Sequence, residues 1–473
     1  MTNYPNPRLP EDAIVETLRS VISKLNDSVM GRCDEDYQDE ISAYWAIECS
    51  GERVYLFDIP HGKNRTVYGS YTQGTYRALC IASSAERARG FASRLGGTSA
   101  ESCSAFPCIA LELSAPLSYP FPNTILEWDN EISRSGKGIA NAYRNFVVRC
   151  KMEAAVVVLS APVDSGRAIF CYTQKSVGKV DGFRKGITLY HYVVHHTPFG
   201  NERVEKRQIE NASQSRLFRR GGVGAVSDGV QAIIGCGSLG SHLAKALADS
   251  GATEFSLIDN DVFETGNVAR HVCGFESIGA NKADALKRHL EAANPNVTCA
   301  AHKGDANVLL ESKHGIFEEA SAVFSTAADP PLEYHLVESF CDGAIAGPLV
   351  IMWLEPFMLA AHALVLNKPQ KIFDDGLFDA ELHFSRRVIA NGDELYVREA
   401  GCQTTYMPYA ALDVQAFLID FMRSWRHHPL VHFRKNYHFA WIGRISDAEA
   451  VGASVSPEFA GVADYSRFVE RID

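Results

Sequence analysis

The chain contains no C-x-x-C pair; its 12 cysteines are scattered singly. It has no apolar run approaching the roughly 18 residues that a membrane span needs, and its N-terminus does not read as a signal peptide. Positive charge is also short, with 46 Lys plus Arg against 57 Asp plus Glu and a net charge of −11. That balance argues against an electrostatic nucleic-acid or membrane surface. The expectation is a soluble, cytoplasmic protein with reduced thiols. At 473 residues the chain has room for two or three domains, each with a full core.

Residues 1–200 read as an α/β domain without a glycine fingerprint. Ala13, Ile14, Leu18, Val21, Ile22 and Leu25 recur at helical spacing, which predicts a helix from Glu11 to Leu25. Ala43–Glu48 and Arg53–Asp58 predict a strand pair around Ser50-Gly51. A helix is expected over Ala85–Leu95, and strands over Cys108–Leu113, Ala154–Leu159, Arg167–Tyr172 and Ile187–Val194. Ser135-Gly136-Lys137-Gly138 lacks the spacing of a phosphate-binding Walker loop and reads as a polar turn. Residues 201–226 are charged and then glycine-rich, a connector to a second domain over 227–473.

The second domain opens with Val230-Gln231-Ala232-Ile233-Ile234, followed by Gly235-Cys236-Gly237-Ser238-Leu239-Gly240 and a helical pattern to Asp249. A second apolar run, Phe255–Ile258, ends in Asp259-Asn260-Asp261. Strand, glycine turn, helix, strand and acid make a nucleotide-binding βαβ unit of a Rossmann-like, doubly wound α/β fold. Gly235 and Gly237 let backbone approach a phosphate, Gly240 lets the helix pack on the strand, and the helix N-terminus favours an anion. Asn267, Arg270 and Lys282 follow. Two cations and an amide beyond a ribose-binding acid suit an enzyme that must stabilise departing pyrophosphate.

The order GxGxxG, D-x-D, N-x-x-R, G-x-x-K over Val230–Asn296 resembles the adenylating domain shared by ubiquitin-activating (E1) enzymes and the sulfur-carrier activators of the ThiF/MoeB family. The resemblance implies ATP over Gly235–Gly240, including Ser238 and Leu239, and a ribose held by Asp259 beside Asp261. It also implies phosphates met by Asn267, Arg270 and Lys282. A T-D-N-like element of the family holds Mg²⁺; here Thr326 fits and the acid arrives two positions late, as Asp329. Asp329 equally suits an N-cap for a helix starting near Pro330. Family members are dimers or pseudo-dimers in which an arginine before the first strand reaches the partner's nucleotide, which singles out Arg216 or Arg219. Residues 1–200 would then be a degenerate second copy, completing an internal pseudo-dimer, or an adaptor beside a homodimer.

Trp353-Leu354-Glu355-Pro356, followed by His362, resembles the W-x-E-P…H-A element of bacterial E1-like proteins in anti-phage operons of Bil or CBASS type. His362 itself reads as a core histidine. Cys402, in Arg398–Thr405 before a helix over Tyr409–Trp425, occupies the place of the acyl-accepting cysteine of thioester-forming members. The paired cysteines that hold zinc in many relatives are absent, so no zinc is expected. No stretch looks like an E2 domain or a Gly-Gly tail. The implied function is that of an activating enzyme using ATP and Mg²⁺ to adenylate a ubiquitin-like protein, take it as a thioester on Cys402 and pass it to an E2-like protein. Three alternatives stay open: a sulfur-carrier adenylyltransferase, a NAD-dependent dehydrogenase that would leave Asn267, Arg270 and Lys282 idle, and an inactive scaffold.

Overall fold

Ile41 and Trp45 lie one helical turn apart and are both buried, Trp45 edge-on against Phe121, Trp128 and Phe170. Ala43, which a strand would place on the same face as both, is exposed, so the burial follows a period of 3.6 rather than 2, and residues Asp34–Glu48 form a helix. The strand expected over Ala43–Glu48 is therefore absent, and Arg53–Leu56 pairs elsewhere.

The computed structural model describes residues 8–30, 34–58, 65–150, 152–175, 179–181, 191–193, 200–222, 227–312, 315–398, 405–427 and 435–472. The chain divides into two compact units, Met1–Leu217 and Phe218–Asp473.

The first unit begins with α1 (Pro10–Val29), α2 (Asp34–Glu48), β1 (Arg53–Leu56), β2 (Arg65–Tyr71), β3 (Ala78–Ala82), α3 (Ala85–Gly96) and β4 (Ala105–Glu112). It continues with α4 (Ile125–Arg134), α5 (Lys137–Arg149), β5 (Ala154–Val163), β6 (Gly166–Lys175), β7 (Lys179–Asp181), β8 (His191–Val193), β9 (Glu205–Arg207) and β10 (Ile209–Asn211). α6 (Gln214–Arg220) contains the division between units. Eight strands form one mixed sheet in the order β10-β1-β3-β2-β4-β5-β6-β9. Ser135-Gly136-Lys137 is the turn between α4 and α5, with Gly136 as the N-cap at φ 124°.

The second unit runs β11 (Ser227–Ile234), α7 (Ser238–Asp249), β12 (Ala252–Ile258), α8 (Lys282–Ala293), β13 (Thr298–His302), α9 (Ala306–Glu311), β14 (Ala320–Ser325) and α10 (Pro330–Cys341). There follow β15 (Leu349–Leu354), β16 (Ala360–Leu366), short β17 (Val397–Arg398) and β18 (Thr405–Tyr406), α11 (Ala411–His427), β19 (Tyr437–Ile442) and β20 (Arg467–Arg471). The main sheet has the order β13-β12-β11-β14-β15-β16-β19-β20. Neighbours are parallel from β13 to β15 and antiparallel beyond. The parallel strands are apolar runs because helices cover both faces. α7, α8 and α11 pack Leu243, Leu286, Phe417 and Phe421 on one face, and α10 packs Leu336 and Val337 on the other.

Candidate functional site

β11 ends at Ile234 and leaves through a turn that demands glycine at two points. Gly235 has φ +86°, and a Cβ there would lie 2.9 Å from the Ala327 amide nitrogen. At Gly240 a Cβ would lie 1.9 Å from the Gly235 carbonyl oxygen, so α7 could not approach the strand. Gly237 differs. A Cβ there would meet no protein atom within 4 Å, and the residue lines a cavity. Its lack of a side chain leaves space for something outside the chain.

The cavity measures about 360 Å³ and opens at the carboxyl ends of β11, β12, β13 and β14. β11 is flanked by β12 on one side and β14 on the other, which is the topological switch point of a parallel sheet. Gly235, Gly237, Asp259, Asp261, Lys282, Asn307, Thr326 and Asp329 are among its lining residues.

Asp259 secures the turn. One carboxylate oxygen accepts the Cys236 N–H at 2.7 Å and the other accepts the Asp261 N–H at 2.8 Å. Burial pushes its pKa up, and those two N–H bonds pull it back. Lys282, the first residue of α8, places Nζ 2.7 Å from Asp261 Oδ2. Asn281 caps that helix by accepting the N–H groups of Ala283 and Asp284, and its own amide donates to the carbonyls of Asp259 and Asp261. Thr326 Oγ1 donates to the Gly235 carbonyl at 2.6 Å, closing the turn from the β14 side.

Asp329 is the N-cap of α10, with Oδ1 accepting the Leu332 N–H at 3.2 Å, and it also lines the cavity. Four carboxylates, Asp259, Asp261, Asp305 and Asp329, face a cavity to which Lys282 brings one positive charge. Asp259 is committed to backbone N–H groups and Asp261 to Lys282. Asp329 uses only Oδ1 in its cap, and its second carboxylate oxygen is the type of donor that a hard divalent cation takes.

Other expected residues lie apart from the lining. Ser238 Oγ donates to the Arg270 carbonyl at 2.7 Å, and Leu239 is buried in the core. Asn267 Oδ1 accepts the Glu264 N–H at 2.8 Å, capping a short turn. The Arg270 guanidinium donates to the Met407 carbonyl at 3.2 Å and lies 5.0 Å from the Tyr409 ring centroid. Arg216 donates to the Asn211 carbonyl at 2.6 Å, and Arg219 is exposed. Cys402 lies outside the described residues.

Two groups escaped the sequence reading. The first is the segment Gly304–Asn307, which leads from β13 into α9, lines the cavity and carries no motif. The second is a buried polar chain in which His362 Nε2 bonds Glu355 (2.7 Å), His362 Nδ1 bonds His438 Nε2 (2.9 Å), and His438 Nδ1 bonds Glu470 (2.9 Å). Glu355 also accepts the N–H groups of Val388 and Ile389, so W-x-E-P marks a tie between a strand end and a distant loop.

Residues 211–344, which include every residue lining the cavity, match the sequence model of the ThiF family. The chain carries a ThiF-family domain. It is 24% identical over 184 residues to an ATP-dependent ubiquitin transferase-like protein, Cap2, of Pseudomonas aeruginosa, a match covering 38% of this chain and 32% of that protein. It is 41% identical over 71 residues to mouse adenylyltransferase and sulfurtransferase MOCS3, covering 15% of each chain. The chain thus spans at most about a third of the length of the curated relatives it matches. A crystal structure of E. coli MccB aligns with 20% identity and a TM-score of 0.35, covering 55% of this chain and 70% of that one. No helix among the described residues is long and apolar enough to cross a membrane.

Proposed function

We propose that the ThiF-family domain adenylates the C-terminal carboxylate of a ubiquitin-like protein, and that Cys402 then takes the acyl group as a thioester for transfer to an E2-like protein. The observation that carries the reading is the cavity itself, which joins an open glycine turn, Asp259, Lys282 and Asp329 at the switch point of the family's domain. ATP would lie with its phosphates over Gly235–Gly237 and its ribose beside Asp259. A substrate carboxylate oxygen attacks the α-phosphorus, the bond to the β-phosphate oxygen breaks, and pyrophosphate leaves. Lys282 would stabilise the leaving charge by exchanging Asp261 for phosphate, and Arg270 would do so on leaving Met407 and Tyr409. Mg²⁺ at Asp329 would supply further charge neutralisation on the phosphates. The Cys402 thiolate would then attack the acyl carbon and release AMP.

Burial pushes the thiols of Cys49 and Cys273 up to about 11 and that of Cys80 up to about 12, unsuited to nucleophilic work at neutral pH. The order of motifs favours Cys402, and the similarity to Cap2 supports a ubiquitin-like substrate. The W-x-E-P element further suggests a bacterial defence setting. A second reading, adenylation for sulfur transfer, is favoured by the similarity to MOCS3. The deciding test incubates the chain with ATP, Mg²⁺ and a neighbouring-gene ubiquitin-like protein, followed by a non-reducing gel. A thiol-sensitive band lost in Cys402→Ala supports the thioester. Pyrophosphate release without that band moves the reading to sulfur transfer, and neither product refutes both.

A further inference from the structure

The two ends of the cavity differ in chemistry. Gly237, the start of α7 and Lys282 suit phosphate, and Asp259 stands on the next strand out from β11. One strand further, beyond β13, the lining is Gly304, Asp305, Ala306 and Asn307. This end carries an acid and no cation, whereas Lys282 stands at the other, so the phosphates are better placed there and the nucleobase here. Asp305 is itself engaged, with Oδ1 accepting the Asn307 backbone N–H at 2.8 Å. The Asn307 side-chain oxygen meets His335 Nδ1, on α10, at 3.0 Å. With that oxygen taken by the imidazole N–H, the carboxamide presents donors alone. Its nitrogen has no hydrogen-bond partner among the described residues.

We propose that Asn307 selects the base as adenine by donating an amide N–H to ring nitrogen N1, with His335 as the positioning residue that keeps the amide oxygen turned away. The proposal rests on the nucleotide reading of the cavity. N1 of adenine is an acceptor, whereas guanine and hypoxanthine carry N–H at that place and would set donor against donor. A carboxamide free to turn would offer its oxygen to those bases. His335 removes that freedom, so discrimination comes from a fixed orientation rather than from the amide alone.

The test measures Mg²⁺-dependent binding of ATP, 1-deaza-ATP, 7-deaza-ATP and inosine triphosphate to the full chain. Wild type should bind 1-deaza-ATP and inosine triphosphate ~5–10-fold more weakly than ATP, the worth of one hydrogen bond, and 7-deaza-ATP equally well. Asn307→Ala should lose the same factor for ATP and nothing further for 1-deaza-ATP. Asn307→Asp should reverse the order of ATP and inosine triphosphate. His335→Ala should weaken ATP but not 1-deaza-ATP, and His335→Gln, which keeps a donor, should restore ATP. If Asn307→Ala keeps the wild-type ratio of ATP to 1-deaza-ATP, the assignment is overturned while the nucleotide site survives. If wild type binds none of the four, the nucleotide reading falls and this assignment falls with it.

Discussion

Both units are built on eight-stranded sheets, but they distribute strand ends differently. In the first unit β2 and β6 run against the other six strands and break the parallel neighbours into β10-β1-β3 and β4-β5. In the second, five neighbouring strands run parallel and bring their carboxyl ends to one edge, where the cavity lies. Glycine use follows the same division. A Cβ at Gly69 of β2 would press on the side chains of Cys108 and Leu79, whereas at Gly240 it would strike backbone. Gly69 accommodates a core; Gly240 lets α7 pack against the turn that follows β11. A parallel run with a glycine turn concentrates chemistry at one place, and a mixed sheet with aromatic filling supplies packing.

The largest effect that sharpens this contrast belongs to the first unit. Trp128 is fully buried and stacks on Tyr172. Trp128→Ala should cost ~3–5 kcal/mol in urea unfolding and leave the KM for ATP unchanged. In the second unit, Lys282→Ala and Arg270→Ala should do the reverse. Each should lower pyrophosphate exchange by ~2.7–4 kcal/mol of barrier, a factor of hundreds, with little change in unfolding. A wild-type exchange rate in Arg270→Ala would show that its place on Met407 and Tyr409 is its whole role.

The parallel half was legible in the sequence because its signals are local. Gly235, Gly240, Asp259 and Lys282 stand within one βαβ unit and its extension; the first three answer backbone demands, and Lys282 pairs with Asp261. Asp329, two positions late for the family pattern, still reaches the cavity because Ala328 takes φ 52°, a left-handed turn that alters the path of the chain. That φ cannot be read from Ala-Ala-Asp. The strand expected over Ala43–Glu48 failed because Trp45 finds its partners at Phe121, Trp128 and Phe170, far along the chain. Asn307 and His335 were invisible for the same reason, since α9 and α10 meet only in three dimensions.

Acid should expose a further difference. His271, behind the glycine turn, accepts the Cys273 N–H at Nδ1 and bonds the Cys236 carbonyl at Nε2, an arrangement that requires the neutral ring. Burial lowers its pKa from 6.5 to about 4. A histidine held neutral in the fold lets the unfolded chain bind the extra proton. Its contribution is therefore full above about pH 6.5 and is lost as pH falls toward about 4. Between about pH 6.5 and pH 5 the second unit should lose ~2 kcal/mol, and His271→Gln should flatten that slope in urea midpoints. An unchanged slope would place the acid sensitivity elsewhere.

The smallest effect separates packing from chemistry most cleanly, because both units contain a comparable helix cap. In the first, Thr124 accepts the Glu127 N–H while Glu127 accepts the Thr124 N–H, a reciprocal cap whose Glu127 carboxylate also accepts the Asn123 N–H and which lies apart from the cavity. In the second, Asn281 caps α8 with its oxygen and binds the Asp259 and Asp261 carbonyls with its nitrogen. Thr124→Ala and Asn281→Ala should each cost ~1 kcal/mol of stability. Asn281→Asp keeps the capping oxygen and removes the N–H donors, so it should retain α8 yet loosen the Asp259–Asp261 loop. Its KM for ATP should then rise while stability stays near wild type, and neither change at Thr124 should move KM. If Asn281→Asp binds ATP as wild type does, the loop is held by Asp259 and the glycine turn alone, and the cap in the second unit is as purely structural as the one in the first.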